Sequence, residues 1–116
     1  MILGTITLNE VEHPIKLGTL AFSIYEDKTG SKTGFAVLSD KERLRSAKHL
    51  QALIYGAIRC GYVLQKLPCP ITYDEVGAYI EPYKINEYFL AVTNTFDIPD
   101  TEEQEEIDKK KVMKAS

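Results

Sequence analysis

Apolar positions recur at helical spacing along residues 39–67, SDKERLRSAKHLQALIYGAIRCGYVLQKL. Leu50, Ile54, Ala57, Ile58 and Gly61 form a stripe that Leu53, Cys60, Leu64 and Leu67 widen, which predicts one long helix with a buried face. Ser39 followed by Glu42 reads as a capping box at its start, and Pro68 and Pro70 mark its end. Its first half carries Lys41, Arg43, Arg45 and Lys48, whereas from Leu50 onward Arg59 is the main charge. The second half is therefore the expected spine of the core.

The flanking segments change period. Residues 2–8, ILGTITL, and residues 11–17, VEHPIKL, are joined by Asn9-Glu10, the pattern of a β-hairpin with Val11, Ile15 and Leu17 inward and Glu12 and Lys16 outward. Pro14 cannot donate to a ladder, so its strand is expected at an edge or with a bulge. His13, beside it, is expected at the surface. Residues 19–30, TLAFSIYEDKTG, predict a helix with Leu20, Ala21, Ile24 and Tyr25 inward, Lys28 in its last turn and Gly30 as C-cap. FAVL, residues 35–38, is either a third short strand or a buried connector, and periodicity does not decide. Thr72 and Glu75 form a second capping box, with Ile71 and Val76 spaced for a hydrophobic staple, and Pro82 ends that helix near Ile80. A last helix follows, with Ile85, Tyr88, Phe89, Val92 and Phe96 on one face. From Asp100 six acidic residues are followed by the lysines 109, 110, 111 and 114, the composition of a charged flexible tail. The expected fold class is α+β: an N-terminal hairpin packed on about four helices in one domain, residues 1–99, with a tail over 100–116.

Composition narrows the partners. The chain has 14 basic and 17 acidic residues, a net charge of -3, which argues against nucleic acid. No apolar run approaches the roughly 20 residues that cross a bilayer, and no basic segment precedes an apolar run at the N-terminus, so no membrane partner is expected and the expected compartment is the cytoplasm. Cys60 falls on the apolar stripe and Cys69 lies between two prolines; neither belongs to a CxxC pair.

Candidate chemistry is sparse. No Gly-rich loop precedes a GK[ST] motif, no metal-ligand spacing occurs, and Tyr73-Asp74-Glu75 reads as capping rather than acid–base machinery, so neither cofactor nor catalysis is expected. The helix pair over 72–96 offers an alternative, a small regulatory domain that contacts DNA, but its second helix carries Lys84 and no arginine. The cations Lys41, Arg43, Arg45 and Lys48 oppose the dipole at the start of a helix, which makes them candidates for an acidic partner against the simpler reading of a solvated face. Seven tyrosines bring more hydroxyls than a small core readily satisfies, which nominates Tyr55, Tyr62, Tyr79, Tyr83 and Tyr88 for a binding surface.

The order ITLNEVEHPIKL, then TLAFSIYEDKTG ending on glycine, then ALIYGAIRCG, then ITYDEVGAYIE and an amphipathic helix resembles the tail assembly chaperones of long-tailed phages and prophages. The resemblance covers residues 2–96; the stretch Ser31–Gly34 with FAVL has no counterpart in the pattern. It implies a non-enzymatic protein in the host cytoplasm that binds a long helical tape-measure protein, keeps it soluble and self-associates. It also implies a longer frameshifted form, for which Lys109-Lys110-Lys111 marks a candidate slippery stretch.

Overall fold

The structure, a computed structural model, describes residues 3–96 apart from the side chains of Phe35 and Lys41; the expected tail over 100–116 lies outside the described residues. The fold is α+β. Strand β1 (Gly4–Leu8) pairs antiparallel with β2 (Val11–Ile15), and helices α1 (Thr19–Thr29), α2 (Lys41–Leu44), α3 (Ala47–Gln65), α4 (Tyr73–Tyr79) and α5 (Ile85–Thr93) follow, with 3-10 turns at Gly34–Ser39 and Pro82–Lys84. FAVL therefore forms a 3-10 turn that buries Val37, not a third strand.

Asn9 and Glu10 both take positive φ, 51° and 65°, the geometry of a type I′ turn, which fixes the register Leu8↔Val11 through Gly4↔Ile15. In that register Thr5↔Pro14 is a non-hydrogen-bonded pair, so the missing N–H of Pro14 faces away from β1. The outer edge of β2 lies against α3, where the Lys16 N–H donates to the Ala57 carbonyl at 3.0 Å. Gly61 makes this approach possible: a Cβ there would sit 2.3 Å from the Pro14 carbonyl oxygen. Gly56 does the same for α1, since its Cβ would stand 2.4 Å from the Ala21 carbonyl oxygen. Helix α3 is thus the spine, with β2, α1 and α4 packed around it.

Several expectations change. The long helix is broken at Arg45-Ser46, because Leu44 and Leu50 are both buried and would point roughly 120° apart on one continuous helix. Ser39 is used by the 3-10 turn, so Asp40 replaces the expected capping box: its carboxylate accepts from the Arg43 N–H at 3.0 Å. Phe22 is buried edge-on to Phe96 while Leu20 is 38% exposed. Val11 lies at the turn end of the hairpin and is exposed. Lys16 is buried, and its ammonium donates to the Thr95 carbonyl at 2.7 Å. His13, expected outside, is 3% exposed, with its Nδ1 2.7 Å from the Tyr62 hydroxyl. Other expectations hold. Gly30 caps α1 at φ 75°, Thr72 and Glu75 form a reciprocal capping box, and Tyr88 and Val92 are the buried face of α5.

Candidate partner-binding groove

The last turn of α3, from Val63 on, leaves the core. Leu64 and Leu67, expected on the buried stripe, are 38% and 54% exposed, and Val63 is 54% exposed. The cause is the end of α3: Lys66 enters the left-handed region at φ 59°, the Leu67 N–H bonds back to the Tyr62 carbonyl and the Lys66 N–H to the Val63 carbonyl. This Schellman closure turns the chain toward α4 and leaves an open groove of about 450 Å³ between α3 and residues 67–72. Tyr55, Tyr62 and Ile71 line it from the core side, Val63 and Leu67 from the solvent side, and Arg59 stands between them. The Cys69 thiol, also on the wall, donates to the Ile71 carbonyl at 3.3 Å; neither Cys60 nor Cys69 is in a disulfide.

The groove is built on satisfied aromatic groups. Tyr62 meets His13 edge-on, and burial lowers the His13 pKa and raises that of Tyr62. Tyr55 lies edge-on to Tyr73 with ring centroids 5.4 Å apart, and its hydroxyl accepts from Arg59 Nη1 at 3.0 Å. That hydrogen bond raises the Arg59 pKa further above its ordinary value. Lys28 Nζ stands 4.7 Å from the Tyr73 ring centroid and Arg59 Cζ 5.7 Å from that of Tyr55, so two cations flank one aromatic pair.

The nominated residues divide. Tyr55 and Tyr62 come together in the groove, but as buried side chains. Tyr88 is also buried, and its hydroxyl accepts from the Glu81 N–H at 3.2 Å. The premise that hydroxyls would force tyrosines outward fails, because each of these three finds an internal partner, as does Tyr25 with His49 Nδ1 at 2.6 Å. Tyr79 is half-buried beside His13 at a smaller cavity of about 190 Å³. Tyr83 alone of the five is fully outside, at 80% exposure. Of the cations, Arg43 is occupied: it donates to the Ser31 hydroxyl at 2.7 Å and its Nε lies 3.4 Å from Asp40. Arg45 and Lys48 are exposed, with Arg45 at the rim of two depressions between the α2–α3 break and α5; the Lys41 side chain lies outside the described residues. In the alternative DNA-binding face, Lys84 lies 3.6 Å from Glu81.

Sequence reasoning missed Val63, Leu67, Ile71 and Arg59 as groove residues. A signal existed for two of them. Val63 and Leu67 are one helical turn apart and follow Gly61, beyond the point where β2 can cover the helix.

Among the described residues, no group of His, Cys, Asp and Glu could hold a metal, and no helix is long and apolar enough to cross a membrane. Comparison with family models, curated proteins and solved structures finds no match in any of the three.

Proposed function

We propose that this chain is a non-catalytic protein-binding module of the tail assembly chaperone type, which holds a helical segment of a long client along the groove at the end of α3 and keeps that client soluble. The supporting observation is the groove itself. Val63 and Leu67 are each more than half exposed, one turn apart, beside an apolar wall made by Ile71 and the faces of Tyr55 and Tyr62. Such a trough receives the apolar ridge of an amphipathic helix. The tyrosine hydroxyls and the Cys69 thiol at the groove are engaged in internal hydrogen bonds, which leaves the apolar faces of these side chains to the occupant.

The test begins with the genes beside this one. The reading expects a very long, helix-rich reading frame nearby, tail genes around it, and a slippery heptamer at the codons for Lys109–Lys111. Co-expression should then raise the soluble fraction of the long protein, and the chain should self-associate in sedimentation. Neighbours without phage character, or a client whose solubility ignores this chain, would overturn the reading.

A further inference from the structure

We infer that the groove selects a helix carrying carboxylates beside its apolar ridge, and that Arg59 is the residue that reads them; the inference rests on the partner-binding function proposed above. Arg59 is half-buried on the groove wall, and Tyr55 fixes one edge of its guanidinium through the hydroxyl and the ring face. Its other N–H donors have no carboxylate partner among the described residues, and Lys28, on the far side of the same tyrosine pair, has none either. The Tyr55 hydroxyl holds the guanidinium in place without neutralising it, which leaves its remaining donors for an anion. An incoming carboxylate would gain a charge-assisted, two-pronged bond from a fork that is already oriented. The carboxylates at the start of α4 are not part of the groove lining: Asp74 is exposed, and Glu75 borders the smaller cavity, its carboxylate accepting from the Thr72 N–H at 3.0 Å. Among the described residues that line the groove, Arg59 alone is charged, so a carboxylate on an incoming helix meets a cation there and no lining anion. Val63, Leu64 and Leu67 carry the apolar surface along the helix end, which suits an elongated occupant better than a small molecule.

The test uses the full chain and labelled amphipathic peptides about 16 residues long, near the length at which isolated helices persist. All share a leucine ridge at i, i+3, i+4 and i+7, with glutamate, glutamine or lysine flanking it. Fluorescence anisotropy should give the glutamate peptide a Kd about tenfold below the glutamine peptide, the scale of one charge-assisted hydrogen bond. Arg59→Gln should erase that preference but leave glutamine-peptide binding, and Leu67→Glu should abolish binding of all three. Equal affinities for the glutamate and glutamine peptides, lost in Leu67→Glu but indifferent to Arg59→Gln, would overturn the charge selection while leaving the groove as a binding site. No binding of any peptide would overturn both. If, in addition, Leu67→Glu converted an oligomer into a monomer, the occupant would be a second copy of this chain.

Discussion

Gly61→Ala sets two simple arguments against each other, and the structure decides between them. By helix propensity the change should stabilise α3 by about 1 kcal/mol. The new Cβ, however, would lie 2.3 Å from the Pro14 oxygen, 2.4 Å from the Pro14 carbonyl carbon and 2.8 Å from the Ile15 nitrogen. Comfortable contact needs about 3.5 Å, so β2 would have to retreat by roughly 1 Å. Every atom involved is backbone, and no rotamer change relieves it. The retreat would stretch the 3.0 Å bond from Lys16 N–H to the Ala57 carbonyl and the 2.7 Å contact of His13 with Tyr62. Overpacking of about 1–3 kcal/mol and about 1 kcal/mol for each weakened hydrogen bond exceed the propensity gain. The expected net loss is about 2–4 kcal/mol, or a melting temperature lower by roughly 10–20 °C. Gly77→Ala is the control: its Cβ would meet the far end of the Gln51 side chain, 2.4 Å from Nε2, which can swing away at the cost of its 2.9 Å bond to the Tyr73 carbonyl. That variant should stay within about 1 kcal/mol of the parent. Urea unfolding followed by circular dichroism measures both. A Gly61→Ala protein as stable as the parent would refute the close approach of β2 to α3.

Three further outcomes follow from the same geometry. Burial lowers the pKa of His13 and His49 below their ordinary 6.5, with Arg43 and Lys48 adding to the effect at His49. The unfolded chain therefore binds more protons, and the unfolding free energy should be flat above about pH 6.5, fall as pH drops below it, and level off below the folded-state values; urea titrations across that range check this. Lys66→Gly should raise stability by about 0.5–1 kcal/mol in thermal melts, because lysine occupies the left-handed C′ position at φ 59°. Thr95→Val should cost about 1–3 kcal/mol in urea unfolding, since the buried Thr95 hydroxyl accepts from the Leu17 N–H at 2.9 Å and no replacement donor or acceptor arrives.

The parts of the fold legible in the sequence were those fixed locally. Thr72 and Glu75 cap each other across three residues, Gly30 closes a helix because it alone is at ease at φ 75°, and the two-residue turn at Asn9-Glu10 sets the hairpin register. What stayed hidden depends on residues far apart in the chain. His13 is buried because Tyr62, 49 positions later, offers it a hydroxyl, and Lys16 because Thr95 offers a carbonyl. The helix break at Arg45-Ser46 follows from a core that takes both Leu44 and Leu50, which periodicity cannot foresee. The groove was half legible: Tyr55 and Tyr62 were singled out, but for exposure they do not have. The exposed ridge at Val63 and Leu67 depends on where β2 ends against α3.

The central claim is that the end of α3, rather than another exposed apolar site, meets the client. A photo-crosslinking residue at position 67 or position 90 tests it, because Leu67 and Leu90 are comparably exposed, at 54% and 60%, but only Leu67 lines the groove. If the expected long helical protein is found among the neighbouring genes, irradiation of cells that co-express it with this chain should link the two from position 67 and not from position 90. Crosslinks from position 90 without any from position 67 would contradict the account.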